Sequence, residues 1–428
     1  MAGMLIQGTA ALVKGMSNPT LPLHATLTSI NDIDLPRTDH TACVVKGRAY
    51  FFGGRTISRS GGIELADSDV HVVVLPTSGI ESSDYQRVEG KGERPPRRWL
   101  HSAAVLGNRI YVFGGSGGDD YHPLDEDGTV WAFDADLHEW SRLAAANGSP
   151  RPAPRTGHSS VASEQPQPPQ RRTDAGVAPQ LPMDPAKEVP EPPGPDTFGT
   201  IIIHGGKNES GEQLNDLWAF DIASRTWAQL PDAPSFTRAS PSLAMVENRL
   251  YSFADGQTNY LDLTKASFSD MGGQGDLGLE PLGPWSTLPS SPDCPKPRER
   301  SGASIVPVTL GQGRNYLLLV GGKSATGESC HDLWALQLKP EGMTAASLKD
   351  AARGAISKET REWDWEEVRY RDADNMAIQA KNPEREVLAR EGVAVAKGSE
   401  VDGASLLLWG GIGADGKVKR DGLMVKFD

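Results

Sequence analysis

The chain has 428 residues, a formal net charge of -13, and 38% hydrophobic and 7% aromatic residues. The negative charge argues against a general nucleic-acid-binding protein, because contacts to phosphates require clustered cations. Three cysteines are too few and too scattered for a disulfide framework, and no apolar run of about 18 residues predicts a transmembrane helix.

Residues 1–22 precede the repeated part of the chain. They are predicted to form an N-terminal extension, either loosely packed or lying as a short helix over one end of the fold. Their weakly apolar stretch has no leading basic segment and is therefore a poor signal peptide. We expect a cytoplasmic protein that contacts neither membrane nor nucleic acid.

The rest of the chain repeats a unit of four short strands. In the clearest copy, residues 96–146, three strands are β-branched or aromatic runs, Gly114-Gly115 ends the second strand, and Trp140 belongs to the fourth. One such unit cannot bury both of its faces, so copies must stack, and a radial stack is a β-propeller. The six copies span about residues 36–92, 96–146, 154–231, 237–289, 297–369 and 384–428.

The two ends of the repeated region complement each other. The last unit ends at residue 428 after its third strand, whereas residues 24–30 form a strand-like run with no repeat before it. We predict that residues 24–30 supply the missing outer strand and close the circle. The expected fold is all-β: one six-bladed propeller over residues 23–428, with four antiparallel strands per blade.

Three insertions interrupt the repeat. Residues 117–127 lengthen the loop after the second glycine pair. Residues 164–196 are rich in Pro and Gln and are predicted to be disordered. Residues 340–361 contain many good helix formers and are predicted to be helical.

The glycine pair after an apolar strand, the spaced aromatic residue and the tryptophan near the end of the unit resemble the kelch repeat over residues 23–428. Five of the six units keep the glycine pair, and the fourth has lost it. Residues 70–75, 215–231 and 311–319 are similar to filamentous-fungal kelch proteins labelled nitrile-specifier-like. The resemblance implies a relation to plant specifier proteins, which use ferrous iron and redirect glucosinolate breakdown.

The iron-binding motif of the plant proteins, Glu-x3-Asp-x3-His, does not occur in this sequence. The nearest residues have a different spacing: Glu64, Asp67, Asp69 and His71. No residue is therefore assigned as a metal ligand, and Fe(II) is expected as a cofactor only for a specifier-like activity.

An arginine recurs three residues before the residue that opens each predicted first strand. In the first five units these residues are Arg37, Arg98, Arg155, Arg238 and Arg298. The sixth unit has Leu388 there, with Arg390 beside it. First strands line the channel of a propeller, so these arginines are expected at one mouth, where guanidinium groups suit a carboxylate, a phosphate or an acidic peptide. The kelch resemblance adds that some kelch domains bind acidic peptides this way; the alternative is that each arginine clamps carbonyls or acids of a neighbouring blade.

The residues that follow the glycine pairs are expected at the same mouth. The predicted ligand-binding set therefore also includes Arg55, Lys207 and Lys323, with Asp255 and Gln257 in the fourth unit and Trp99 as an aromatic wall.

Three histidines, His40, His101 and His158, occupy matching positions in consecutive units. Together with Asp39 they are candidate acid–base groups. The alternative is that each histidine donates a hydrogen bond that ties neighbouring blades together.

Three functions remain open. The first is a binding module whose mouth holds a small anionic molecule or an acidic peptide. The second is an isomerase, cyclase or lyase of fungal specialised metabolism that uses acid–base residues at the mouth. The third is a ferrous-iron nitrile-specifier-like protein.

Overall fold

The computed structural model describes residues 20–58, 60–75, 84–118, 120–166, 198–234, 241–265, 279–289, 294–310, 313–340, 347–348, 350–351, 361–371, 388–398 and 404–427. Most of the predicted N-terminal extension, the predicted insertion from residue 167 onward, and Arg238 lie outside the described residues. Within the predicted helix at 340–361, residues 347, 348, 350 and 351 are helical.

The strands fall into six blades, as predicted. Strand β1 is His24–Ile30. Blade 1 has β2 (Thr41–Val45), β3 (Arg48–Phe52), the hairpin β4 (Arg55–Ile57) and β5 (Ile63–Leu65), β6 (Val70–Val74) and β7 (Asp84–Val88). After β8 (Lys91–Gly92), blade 2 has β9 (Ser102–Leu106), β10 (Arg109–Phe113), β11 (Val130–Asp134) and β12 (Glu139–Leu143). Blade 3 has β13 (Ser159–Ser163), β14 (Thr200–His204), β15 (Leu217–Asp221) and β16 (Thr226–Leu230).

The second half of the ring is built in the same way. Blade 4 has β17 (Ser242–Val246), β18 (Arg249–Ala254), β19 (Gln257–Lys265), β20 (Leu279–Pro281) and β21 (Ser286–Thr287). Blade 5 has β22 (Arg300–Leu310), β23 (Arg314–Ser324), β24 (Leu333–Gln337) and β25 (Trp365–Glu367). After β26 (Arg369–Arg371), blade 6 has β27 (Arg390–Glu391), β28 (Ala394–Lys397), β29 (Ser405–Trp409), β30 (Ile412–Gly413) and β31 (Gly422–Phe427).

The N-terminal strand closes the ring. β1 pairs antiparallel with β31, from Ala25 opposite Phe427 to Ile30 opposite Gly422, and so forms the fourth strand of blade 6. β26, which leaves blade 5, adds a parallel edge strand outside β1. The predicted closure is confirmed, and it covers the edge that a three-stranded last blade would expose.

The hydrophobic core consists of layers between neighbouring blades. In one layer Phe52 and Val72 of blade 1 pack with Val112 and Phe133 of blade 2. Burying each such aromatic or aliphatic side chain contributes about 1.5–3 kcal/mol. Every blade therefore depends on its neighbours, as expected of a circular repeat.

The tryptophan near the end of a unit joins adjacent blades. The ring of Trp140 in blade 2 lies 5.0 Å from that of Phe52 in blade 1, and Trp227 in blade 3 lies 5.1 Å from Phe113 in blade 2. The indole of Trp227 also donates to Gly128 O of blade 2 at 2.8 Å. These residues act as hydrophobic contacts between blades.

Helices are scarce in the described ranges, and none of them there has the length and apolar character needed to cross a membrane.

Candidate functional site

The first strands of the six blades surround a central channel that contains two cavities. The mouth cavity, of about 430 Å³, lies where these strands begin, and the opposite cavity, of about 770 Å³, lies where they end. The residues that line both cavities form a waist between them: Ser160, Leu243, Ile305, Val306 and Val395. Because this waist is mostly aliphatic, the mouth cavity is a pocket with an apolar floor.

The predicted arginines are buried clamps inside the blades. Arg98 has no exposed side-chain surface, donates to both carboxylate oxygens of Glu126 at 2.7 Å and donates to Gly114 O at 3.0 Å. Its own backbone carbonyl accepts from Gly54 N of the preceding blade at 2.8 Å. Equivalent clamps join Arg155 to Asp216, Arg300 to Asp332 and Arg390 to Asp421.

These clamps are not presented to a ligand. None of the clamp arginines lines the mouth cavity. Burial alone would raise the pKa of Asp216, but the hydrogen bonds and positive charge of Arg155 hold that pKa below its usual value. The geometry favours the interpretation in which each arginine acts as a clamp. The clamped acid, however, belongs to the arginine's own blade and not to a neighbouring one.

The predicted alignment needs correction in the last two blades. In the pairing of β22 with β23, Arg300 occupies the position that Arg98 occupies in blade 2. Arg298 is exposed, and its backbone carbonyl accepts a hydrogen bond from the Arg300 side chain. Counting back from Ser301 failed because β22 begins earlier than the other first strands. In blade 6 the clamp is Arg390, and Leu388 is buried in the core.

Blade 1 has a different clamp. Arg37 Nη2 lies 3.0 Å from Asp67 Oδ1 and 2.6 Å from His71 Nε2, and His71 Nδ1 lies 2.7 Å from Tyr85 Oη. His71 Nε2 also lies 2.9 Å from Asp67 Oδ1, so the guanidinium, the acid and the imidazole form one cluster in which Arg37 contacts both of the other groups. Asp69 pairs instead with Arg87.

The residues present do not fit an iron(II) site. Glu64, on the β4–β5 hairpin, is exposed, whereas Asp67 and His71 are held by Arg37. Across the described ranges no group of three or more His, Cys, Asp or Glu residues could hold a metal ion.

The histidines lie between blades. His101 Nε2 lies 2.9 Å from Thr41 Oγ1 of blade 1, and His158 Nε2 lies 2.8 Å from Ser102 Oγ of blade 2. His40 occupies the same place in blade 1, but the preceding blade offers Ala394 instead of a hydroxyl. No described residue hydrogen-bonds either ring nitrogen of His40.

We expect Ala394→Ser to stabilise the protein. The new hydroxyl would give His40 the partner that Thr41 and Ser102 give to the other two histidines. One buried hydrogen bond contributes about 0.5–1.5 kcal/mol, so the free energy of unfolding in urea should rise by about 1 kcal/mol. Ala394→Val, which adds volume without a hydroxyl, is the control; an equal gain from valine would contradict this explanation.

Burial keeps the histidines neutral. It lowers the pKa of His40 and of His158 to about 3, and lowers that of His101 well below its usual value, with nearby arginines adding to the effect. Imidazoles that are hydrogen-bonded or packed between blades and lack proton affinity near neutral pH are poorly suited to acid–base chemistry. This favours the alternative in which they tie the blades together.

Acid should therefore destabilise the fold through these histidines. The unfolded chain binds their protons below about pH 6.5 and the folded chain does not, so stability is complete above that pH and falls as the pH approaches 3. Each histidine contributes up to about 1.4 kcal/mol per pH unit. Urea unfolding between pH 7.5 and 4.5 measures the slope, and His158→Gln should reduce it. If NMR of the folded protein shows these imidazoles titrating near pH 6.5, the prediction is wrong.

The glycine pairs are required by the next blade. A Cβ on Gly114 would lie 2.8 Å from Arg155 O and 2.8 Å from His158 Cε1 of blade 3. In blade 4 the pair is replaced by Ala254 and Asp255, and Asp255 keeps the left-handed φ of 49°. The strand register places Ala303 of blade 5 where blades 1, 2 and 3 carry histidine, so a smaller neighbour accompanies the larger residue.

Blade 4 also lacks the clamp acid. Gln257 opens β19 at the place that Asp216 holds in blade 3, and it is exposed. Blade 4 therefore departs from its neighbours at both the glycine pair and the clamp.

All four predicted catalytic residues line the mouth cavity: the three histidines are buried, whereas the side chain of Asp39 is 13% exposed. Its φ of 55° is left-handed, where the equivalent residues of three blades are glycines: Gly157, Gly302 and Gly392. Arg55 donates to Asp39 Oδ2 from Nη2 at 2.6 Å and from Nε at 3.2 Å. Burial raises the pKa of Asp39 above its usual value, although Arg55 and Thr38 oppose that shift.

Arg55 rests on an aromatic support. Its guanidinium lies 4.0 Å from the centre of the Trp99 ring, an arrangement that favours a cation–π interaction. Trp99 is only 1% exposed and its indole donates to Gly118 O, so it positions Arg55 and does not form an open wall. The ring of Tyr121, which is exposed, lies 4.9 Å from that of Trp99.

A second ion pair stands on the far side of Asp39. Lys323 of blade 5 lies 2.7 Å from Glu391 of blade 6, and both residues line the mouth cavity. Sequence reasoning found Lys323 and missed Glu391. The sequence offered one signal for Glu391. This residue directly follows the clamp arginine Arg390 and directly precedes Gly392, which is the equivalent of Asp39. Lys207 is exposed at the corresponding rim position of blade 3.

The structure thus divides the predicted residues into two groups. Asp39, Lys323 and Glu391 line the mouth cavity, and Arg55 stands beside it as the partner of Asp39. The described clamp arginines lie inside their blades, and the three histidines are packed between blades but also line the mouth cavity.

Comparison with known proteins gives matches over parts of the chain. The family model described as KLHDC2/KLHL20/DRC7 Kelch-repeats domain matches residues 24–167. Kelch domain-containing protein 1 of Mus musculus is 26% identical over 283 residues, which cover 60% of this chain and 56% of that protein. Acyl-CoA-binding domain-containing protein 4 of Arabidopsis thaliana is 25% identical over 318 residues, 67% of this chain and 44% of the relative.

A relative named for an enzymatic activity also matches. N-(sulfonatooxy)prop-2-enimidothioate sulfolyase of Thlaspi arvense is 28% identical over 201 residues, 47% of this chain and 45% of the relative. The matches thus cover about half or less of the length of these relatives.

Proposed function

Because the chain is a kelch-repeat β-propeller, we propose that it is a binding module whose mouth cavity holds the anionic group of a small molecule or of an acidic peptide. The supporting observation is that Lys323 lines a cavity with an apolar floor and that Arg55 stands beside the same cavity, bound to the lining residue Asp39. Lys207 extends the cationic rim on blade 3. A cavity of about 430 Å³ is within the usual size range of small-ligand sites.

The surroundings of the histidines support binding over histidine-based catalysis. The histidines are buried between blades, and burial lowers their pKa values. A ligand at the mouth would meet these histidines as well as Asp39, Lys323, Glu391, the serines and the aliphatic floor.

The test uses two anionic probes, 3-phenylpropanoate and a capped tetraglutamate peptide, titrated by NMR and calorimetry. At least one should bind, and Lys323→Gln should weaken it by at least fivefold because an ion-pairing group is lost. Lys46→Gln removes an exposed lysine at the opposite cavity and is the matched control. Absence of binding by both probes, or equal effects of the two substitutions, would contradict the proposal.

A second candidate is a lyase that acts on a small sulfated substrate at the same mouth. It is favoured by the similarity to the Thlaspi arvense sulfolyase. Asp39 is the accessible proton-transferring group, because burial shifts its pKa in the direction that acid–base work near neutral pH requires. The poor fit of Glu64, Asp67 and His71 to iron(II) counts against a specifier-like version of this activity.

The lyase candidate is tested by incubating the protein with N-(sulfonatooxy)prop-2-enimidothioate, with and without added iron(II) under anaerobic conditions. Turnover that Asp39→Asn abolishes would support it. Turnover that needs iron(II) and survives Asp39→Asn would instead indicate a metal site outside the described residues. No turnover under either condition would dismiss the candidate.

A further inference from the structure

Two ion pairs stand side by side at the entrance of the mouth cavity. Asp39 pairs with Arg55 at 2.6 Å and Glu391 pairs with Lys323 at 2.7 Å. The two acids belong to adjoining blades, since Asp39 N donates to Gly392 O at 2.8 Å. These two pairs bring two positive and two negative groups to the entrance, and within the pairs the charges cancel.

The acids keep free acceptor sites. Arg55 and Thr38 both donate to Asp39 Oδ2, and no described residue donates to Oδ1. Lys323 approaches Glu391 at Oε2, and the described residues offer no donor to Oε1. The side chain of Asp39 is 13% exposed and that of Glu391 is 47% exposed, so a bound group could reach both.

One wall of the cavity is aliphatic. At the waist, blades 4, 5 and 6 contribute Leu243, Ile305 and Val395 to the lining of both cavities. At the same strand position, blades 1, 2 and 3 carry small residues: Ala42, Ala103 and Ser160. The channel therefore has an aliphatic half and a half with smaller side chains.

This combination restricts the charge of the ligand. An anion attracted to Lys323 also meets the carboxylates of Asp39 and Glu391, and the whole protein carries a formal charge of -13. A cation attracted to those acids meets Arg55 and Lys323. A molecule that carries both signs can satisfy both sets without an unpaired charge.

We propose that the mouth cavity binds a zwitterion with an apolar body, whose ammonium lies at Asp39 and Glu391 and whose carboxylate lies at Lys323. This inference rests on the proposed binding function and names the ligand class for the same site. The apolar body packs on Leu243, Ile305 and Val395, where its burial contributes most of the affinity.

The experiment compares three probes with similar apolar bodies and different charged groups: L-phenylalanine, 3-phenylpropanoate and 2-phenylethylamine. Dissociation constants are measured by NMR titration of the full chain at pH 7. L-phenylalanine should bind at least tenfold more tightly than either singly charged probe. Glu391→Gln should reduce this preference to less than threefold, because it removes one partner of the ammonium on a half-exposed side chain.

The outcomes separate the two proposals. If 3-phenylpropanoate binds as tightly as L-phenylalanine and Lys323→Gln weakens both equally, the zwitterion inference is wrong and the anion-binding function stands. If none of the three probes binds and the tetraglutamate peptide does, the inference is also wrong. If neither 3-phenylpropanoate nor the tetraglutamate peptide binds, the anion-binding function is contradicted, and if L-phenylalanine also fails to bind, the zwitterion inference is wrong as well. Lys46→Gln should leave all three dissociation constants unchanged.

Discussion

Replacing Arg155 by alanine should lower the free energy of unfolding by about 3–5 kcal/mol. The guanidinium has no exposed surface and donates to Asp216 and to Gly205 O. Without it, the Asp216 carboxylate keeps only the indole of Trp218 as a side-chain partner among the described residues. Urea unfolding followed by tryptophan fluorescence measures the change.

The matched control is Arg298→Ala. Arg298 is exposed and lies outside the clamp, so its loss should cost less than about 0.5 kcal/mol. Arg155→Ala should also leave probe affinity at the mouth within twofold when measured where the variant is folded. A stability loss below 1 kcal/mol, or a large loss of probe affinity with little loss of stability, would indicate that Arg155 binds the ligand and does not act as a clamp.

Gly114→Ala should be similarly destabilising, by about 3 kcal/mol or more. The φ of Gly114 is 61°, a left-handed conformation that costs alanine about 1 kcal/mol. The new methyl group would also lie 2.8 Å from Arg155 O and from His158 Cε1, so two blades must move apart. The free energy of unfolding in urea measures the sum of these two costs.

Gly148→Ala separates the conformational cost from the cost of contact with the next blade. Gly148 has a φ of 81°, and nothing lies within 4 Å of a Cβ placed on it, so only the conformational cost applies. If the two substitutions cost the same, contact with the next blade is not what requires glycine at residue 114. Gly114→Ala should cost less in a protein that already carries His158→Ala than in the unmodified protein. The reason is that His158→Ala removes one of the two contacts that the new methyl group would make.

The fold was predictable because the repeat carries redundant signals. Strand alternation, a glycine pair that needs left-handed backbone and a tryptophan that packs on the preceding blade recur together. Closure by β1 followed from the incomplete last unit. The position of Arg300 was not predictable by counting, because the length of β22 is set by its pairing with β23 along the whole strand.

The candidate site was less accessible to sequence reasoning. The sequence contained a signal for the arginine clamp, namely an acid two residues before a tryptophan. Asp216 and Trp218 are an example, and they share a hydrogen bond in the structure. Glu391 carried only a weak signal, since its equivalents in other blades are not acidic. Its pairing with Lys323 depends on contact between blades 5 and 6.

The sequence alone determined the architecture: six blades, the closing strand, and the end of the channel at which the arginine and glycine-pair loops meet. Only the tertiary structure decided which charged groups are free to meet a ligand. Arg98 and Arg155 turn into their own blades because a buried guanidinium is stable only beside an acid. Asp39, Lys323 and Glu391 line the mouth cavity and Arg55 stands beside it on Asp39, because Asp39 and Arg55 meet across the loops of blade 1 and Lys323 and Glu391 meet across a blade boundary, contacts that only the packed blades create.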